Sequence, residues 1–312
     1  MTLTAPKIYH LHPLAAGPLP EWPAHFQHIR GMGFDHVAIA PMFLPGEDGD
    51  IFVTANHERL HPALQWNGSA DEGFSQLTST ARQHGLRVLL DITLGQVSGE
   101  AELRRREPGW FTTGFCGGPP DPRRAHRLGV ALTRFQQTEA AEGLTGWWAD
   151  RLTRLLAAGV SGFRFLEPHH VPAAVWRRVI IRLREVSADC LLLAWTPGVD
   201  RAAVARMEGL AFDRTCASTA WWDGRAPWLA EEIEAIRRLA PPLASPEPSF
   251  TERLAAQLPA GPDIASVYRH ALNVAASVGC GLFVPMGFEY ATRRPFDPAH
   301  TQAADFHSGR SE

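Results

Sequence analysis

Short apolar runs alternate along the chain with longer stretches whose apolar residues recur every three or four positions. The runs are Ile8 to Leu11, His36 to Ala40 closed by Pro41, Gly85 to Asp91, Gly162 to Leu166, Cys190 to Trp195, Gly209 to Asp213, Pro242 to Glu247 and Gly281 to Pro285. They are short, carry apolar residues and are bounded by Gly and Pro, so each predicts a strand. Ala149–Ala158, Ala173–Val186 and Glu231–Leu239 have helical spacing. Strands alternating with helices in this way predict an α/β chain folded as a (β/α)8 TIM barrel, with its functional groups where strands end and loops begin. Two stretches break the rhythm. Residues 98–145 are rich in Arg, Gly and Pro and predict a short excursion, and the polar segment after Tyr290 lacks the pattern of a final helix. The expected organisation is a barrel over residues 1–290 and a polar tail over 291–312, a barrel incomplete after its eighth strand in what can be a piece of a longer protein.

Composition narrows the functional classes. The 312 residues are 45% hydrophobic, enough for one large core, and the net charge of −3 offers nothing to nucleic acid or an anionic membrane. No apolar run reaches membrane-spanning length, and the first residues lack the apolar core of a secretory signal. Cys116, Cys190, Cys216 and Cys280 show no C-x-x-C spacing and predict reduced, packed thiols in a cytoplasmic protein. No cofactor is implied.

Two histidine patterns invite a metal reading. His57-Glu58-Arg59-Leu60-His61 formally matches H-E-x-x-H, but Pro62 and a Trp-Asn-Gly-Ser loop follow at once, which suits a turn better than the regular helix that zinc chemistry needs. His169 and His170 are adjacent, and neighbours on a rigid element do not readily share one ion. They are expected in a surface loop, with His169 placed to meet sugar hydroxyls. No metal site is predicted.

Gly162-Phe163-Arg164-Phe165-Leu166-Glu167-Pro168-His169-His170 resembles, without a gap, the fourth strand of the α-amylase superfamily, glycoside hydrolase family 13, where the pattern is G-F-R-x-D. Asp91 to Ser98 resembles the family's D-x-x-x-N-H region, and Leu193-Ala194-Trp195-Thr196-Pro197-Gly198 its A-E-T-x-G ending. Glu247 to Ala255 follows E-N-H-D-T-E-R-L-A. Gly49 to Val53 with Leu60-His61-Pro62, and Gly287 to Tyr290, extend the likeness over nearly all of Ile8 to Tyr290. Within the superfamily the chain is most similar to the amylase-like module joined to bacterial maltosyltransferases of glycogen metabolism.

The resemblance implies a sugar site at the barrel mouth, and three substitutions alter its chemistry. Leu166 stands at the nucleophile position, Trp195 at the general acid and Phe250 at the third acid, while Gly95, Gln96 and Ser249 replace the Asn and His residues beside them. Retaining glycosidases need two carboxyl groups about 5 Å apart, one to attack and one to protonate. With all three acids lost, no catalytic residue is assigned. The positions implied or placed to bind a glucan are Phe52, Asp91, Arg164, Glu167, His169, Trp195 and the Trp221-Trp222 pair, since aromatic faces stack on sugar rings.

The leading expectation is a catalytically inactive amylase-type barrel that binds an α-glucan or maltooligosaccharide, or supports a fused or associated maltosyltransferase. One alternative is an active enzyme with displaced carboxylates, Glu167 acting with Asp91, Asp213 or Glu289. Strand alternation should aim Glu167 away from the barrel axis unless the backbone turns. Another is a purely architectural module.

Overall fold

Eight short parallel strands carry the molecule: β1 (Lys7–Leu11), β2 (His36–Ile39), β3 (Arg87–Thr93), β4 (Gly162–Leu166), β5 (Leu191–Ala194), β6 (Arg214–Cys216), β7 (Pro242–Leu243) and β8 (Leu282–Pro285). They come from a computed structural model describing residues 5–114, 121–123, 127, 129–258 and 263–309. Cys116 lies outside the described residues. The strands pair in chain order, β8 returns to β1, and a parallel bridge between Ala244 and Leu282 joins the two ends. The amide of Phe283 donates to Ala244 at 2.9 Å and that of Ala244 to Gly281 at 3.2 Å across this seam. The fold is the expected (β/α)8 barrel.

Strand alternation divides the side chains. Ile8, Ala38, Leu89, Leu191, Leu193, Leu243 and Phe283 form one buried cluster inside the barrel. Their neighbours Tyr9, Val37, Leu90, Phe163 and Leu192 face outward into the larger core beneath the helices. After the eight strands come α1 (Trp22–Gly31), α2 (Ala70–Gln83), α3 (Thr138–Ala157), α4 (Ala173–Val186), α5 (Arg201–Arg206), α6 (Trp228–Arg237), α7 (Ile264–Val278) and α8 (Ala303–Gly309). The helices form for ordinary reasons. In α1, Trp22, Phe26 and Ile29 make one buried stripe. Ser69 and Glu72 close a capping box at the start of α2. In α4, Val175, Trp176, Val179, Ile180 and Leu183 face the sheet.

The structure corrects two expectations. The sixth strand is Arg214–Cys216 rather than Gly209 to Asp213. Gly209 adopts φ 78° in a turn after α5, and Leu210 and Phe212 pack into the outer core from that turn, so their apolarity reflects burial without a strand. The polar tail also forms a helix, α8. Phe306 anchors it, 5.7 Å from the rings of His25 and Tyr290. The expected excursion begins at Gln96 rather than at residue 98: Gln96–Ser98, Phe111–Thr113 and Val130–Thr133 make a small antiparallel sheet.

Gly162 opens β4 where β4 and β5 run closest. A Cβ there would meet the Leu191 carbonyl oxygen at 2.0 Å and its nitrogen at 2.6 Å. Backbone cannot retreat as a flexible side chain would, so Gly162→Ala should lower the unfolding free energy by at least about 2 kcal/mol. Gly31→Ala, at the end of α1 with open space around it, should be neutral or stabilising by up to about 1 kcal/mol. Urea denaturation of both variants checks the contrast; equal stabilities would contradict the packing account.

Candidate functional site

The mouth of the barrel is built over one buried charged cluster. Register places Asp91 on β3 directly beside Arg164 on β4. Arg164 Nε donates to Asp91 Oδ1 at 2.7 Å, and its Nη2 makes a second ion-pair contact with Oδ2. His10 on β1 completes the group, its Nε2 3.0 Å from Asp91 Oδ2 and its Nδ1 2.8 Å from Ser249 Oγ. The same Nε2 lies 3.0 Å from Arg164 Nη2, so the imidazole is wedged between the arginine, the carboxylate and the serine hydroxyl. Burial followed by the Arg164 charge lowers the His10 pKa, which keeps the ring neutral. Burial alone would raise the Asp91 carboxyl, but Arg164 and His10 outweigh it and hold that carboxyl below its usual range. Asp91 is therefore an ionised anchor for an arginine and holds no proton to donate.

Apolar groups cover this cluster. Trp195, just past β5, lies over the Arg164 guanidinium at 4.7 Å, and Phe283 sits 4.4 Å from it on another side. Phe250 packs edge-on to His10 at 5.5 Å and to Phe52 at 5.0 Å. Leu166 and Phe250 both lean on the buried group Leu14, Ala40, Ile51 and Phe52. The loop that carries Ser249 and Phe250 is fixed by a fully buried ion pair, Arg253 Nη2 to Glu247 Oε1 at 2.5 Å, and Arg253 also donates to the Met286 carbonyl at 3.1 Å. Trp195 thus covers Arg164 and Phe250 covers His10, while Leu166 packs beside them on the apolar group around Phe52.

The remaining predicted residues divide. Phe52 is at the mouth, yet Phe250 covers one side of it and the Arg127 guanidinium lies 4.2 Å over its ring. Trp221 meets Trp195 edge-on at 6.3 Å, forming a half-buried aromatic pair at the rim. Trp222 turns away, its indole donating to the Ala226 carbonyl at 2.8 Å. Glu167 sits where the backbone turns, the exception that strand alternation left open. Its backbone is left-handed, φ 50°, which turns the carboxylate to His169 and His170 at 3.6 and 3.8 Å.

The other carboxylates considered do not join them. Asp213 precedes β6 and therefore sits at the end of the barrel opposite the mouth, where it accepts from the Leu192 amide at 2.7 Å and from Arg184 at 2.6 Å. Glu289 accepts from the outward-facing Tyr9 hydroxyl at 2.8 Å and lies 3.3 Å from His28 on α1. The H-E-x-x-H segment lies mainly on a strand, Thr54–Leu60, in which His57 is buried against Phe43, Trp147 and Trp148 while Glu58 pairs with Arg154. Neither of its histidines joins a group of potential metal ligands among the described residues. Cys190, Cys216 and Cys280 are free thiols, and burial pushes that of Cys216 up to about 12.

Sequence reasoning missed His10, Arg127 and His12, whose buried ring lies 5.5 Å from that of Phe250. His10 was detectable as a polar residue on the inward face of an otherwise apolar strand. Arg127, in the excursion, had no such signal.

No family model matches the chain. It is 33% identical over 289 residues to the α-1,4-glucan:maltose-1-phosphate maltosyltransferase of Burkholderia pseudomallei, covering 91% of this chain and 25% of that protein. The enzyme of the same name from Methylacidiphilum infernorum is 26% identical over 334 residues, covering 96% of this chain and 47% of that one. Solved structures include the maltogenic α-amylase AmyB of Thermotoga neapolitana, with TM-score 0.76, 18% identity and coverage of 99% and 76%. The Geobacillus thermoleovorans α-amylase superposes equally well at 16% identity, covering 99% of this chain and 78% of that one. The chain is an α-amylase-like barrel module. It spans between a quarter and a half of the length of these two curated relatives. Among the described residues of the amylase-like module, no helix is long and apolar enough to cross a membrane.

Three buried histidines make the module sensitive to acid. Burial lowers His12 and His57 to about 3, with a smaller contribution from His10 and Arg151 respectively, and His10 is lowered as described. Unfolded histidines titrate near 6.5. Below that pH the unfolded chain binds protons that the folded one refuses, so this stability is complete above about 6.5 and is lost as pH falls. Urea unfolding between pH 7 and 5 should show a slope of up to about 1.4 kcal/mol per pH unit for each histidine. His57→Gln should make that slope shallower; an unchanged slope would refute its share.

Proposed function

We propose that this amylase-like module is a catalytically silent carbohydrate-binding barrel that engages an α-1,4-glucan at its mouth and serves a maltosyltransferase, fused or associated, in the cytoplasm. The observation that carries the reading is the set Leu166, Trp195 and Phe250, apolar at the three acid positions, with Trp195 over Arg164, Phe250 against His10 and Leu166 in the apolar group around Phe52. Asp91 cannot replace them, because Arg164 holds it ionised, and a retaining mechanism needs a second, protonatable carboxyl about 5 Å from the first. The names of the curated relatives supply the substrate class, α-1,4-glucan. The Trp195–Trp221 pair supplies the stacking surface. The proposed module covers residues 1–290 with its excursion at 98–145, and the 291–312 segment carries α8 onto the barrel wall.

A specific observation favours a second reading, an architectural module. Phe52 is covered by Phe250 and Arg127, so one aromatic surface that would meet a sugar is already occupied.

Calorimetric titration with maltoheptaose separates the two. The proposal expects saturable binding that Trp221→Ala weakens about tenfold, the scale of one aromatic contact, with no reducing sugar released on long incubation. Absence of binding at millimolar ligand would leave the architectural reading. Sugar release that disappears in Glu167→Gln would overturn the inactive assignment.

A further inference from the structure

We propose that Glu167, His169 and His170 form a binding site for one divalent transition-metal ion, with zinc the best match, at the exit of β4. One ligand atom from each residue lies within 4.8 Å of the other two. His169 Nε2 is 3.6 Å and His170 Nδ1 3.8 Å from the same oxygen, Glu167 Oε2. In a tetrahedral zinc site with bonds of 2.0–2.1 Å, ligand atoms stand about 3.3 Å apart. Closing the two carboxylate–imidazole legs therefore takes shifts of a few tenths of an ångström, and the nitrogen–nitrogen leg closes from no more than 4.8 Å.

Adjacent side chains on a rigid element diverge, by about 100° in an α-helix and about 120° in a 3-10 turn, so two neighbours can share an ion only by reaching with different ring atoms. Here Pro168–His170 is a single 3-10 turn entered from the left-handed Glu167. His169 offers its distal nitrogen and His170 its proximal one, and the two rings lie 4.1 Å apart. Their different reach lets both meet at one point. The left-handed backbone at Glu167 is the turn that brings its carboxylate round to the histidines.

The backbone under the site is fixed. Trp176 on α4 donates its indole N–H to the Pro168 carbonyl at 2.8 Å, and the His170 amide donates to Glu167 at 3.1 Å. The side chains are 22% (Glu167), 9% (His169) and 31% (His170) exposed, sheltered yet open to an ion. Arg127 is the nearby cation opposing a metal, but its ion pair with Asp50 offsets that charge. Two imidazoles and a carboxylate suit zinc, and three protein ligands leave a fourth position open. This site does not depend on the glucan reading.

The test uses the full chain, stripped by chelator dialysis and titrated with ZnCl2 by calorimetry and with Co(II) by visible absorption. The expected result is one ion per chain at micromolar or tighter affinity, with cobalt bands of a four- or five-coordinate nitrogen and oxygen site. His169→Ala and Glu167→Gln should each weaken binding at least tenfold. Glu167→Gln is isosteric and keeps the fold, which circular dichroism verifies, and exposed His270→Ala should change nothing. Failure to bind zinc, binding retained in a His169→Ala/His170→Ala double variant, or a cobalt–thiolate charge-transfer band would overturn the proposal. Maltoheptaose titration of the same metal-free protein reports separately on the glucan reading.

Discussion

The pairing of Arg164 with Asp91 inside the barrel is the constraint around which the mouth is arranged. Neither charge reaches water, and an isolated partner in such an interior would cost about 3–5 kcal/mol. The two strands must therefore hold a register that puts the residues side by side, which the β3–β4 pairing does. His10 meets both members of the pair through Nε2, and Ser249 meets the other nitrogen of the histidine. The chain of contacts runs from β3 through β4 and β1 to the loop after β7, so four parts of the barrel share one polar centre.

That centre accounts for the aromatic residues above it. A guanidinium with two donors committed to a carboxylate still presents its charge to π-systems, and the rings of Trp195 and Phe283 lie 4.7 and 4.4 Å from it. Phe250 rests against the edge of His10, and Leu166 fills the apolar group beside Phe52. These side chains keep water from the ion pair, which strengthens it in the lower local dielectric. The same rim leaves two features facing outward, the Trp195–Trp221 pair and the turn bearing Glu167, His169 and His170.

The barrel was legible because strand and helix periods are written directly in side-chain polarity. Seven of the eight strands lie where the apolar runs predict them. The sixth failed because Arg214-Thr215-Cys216 offers little apolar signal, while the adjacent Leu210 and Phe212 are buried from a turn. Asp213 was misplaced with it, at the wrong end of the barrel. At the site, Arg164, Asp91 and the three altered acid positions could be located by resemblance. The direction of Glu167 could not, because it hangs on a left-handed φ that no residue type demanded. The cover that Arg127 gives to Phe52 was equally hidden, since it joins positions 75 residues apart, 127 against 52, with no shared period.

On the proposed reading of a silent barrel, charge balance opposes glycosidase chemistry created by one substitution. Arg164 contributes one positive charge, Asp91 one negative charge and the neutral His10 none, so the buried group is balanced. An aspartate at position 166 would compete with Asp91 for the same arginine and add an uncompensated charge next to the apolar group around Phe52. It would either take up a proton and cease to be a nucleophile, or draw water into the cluster. A proton donor would still be absent, because Trp195 stands where it is needed and the indole is no useful acid. The three apolar residues and the balanced ion pair are thus a mutually consistent set: each is tolerable in this interior because of the others.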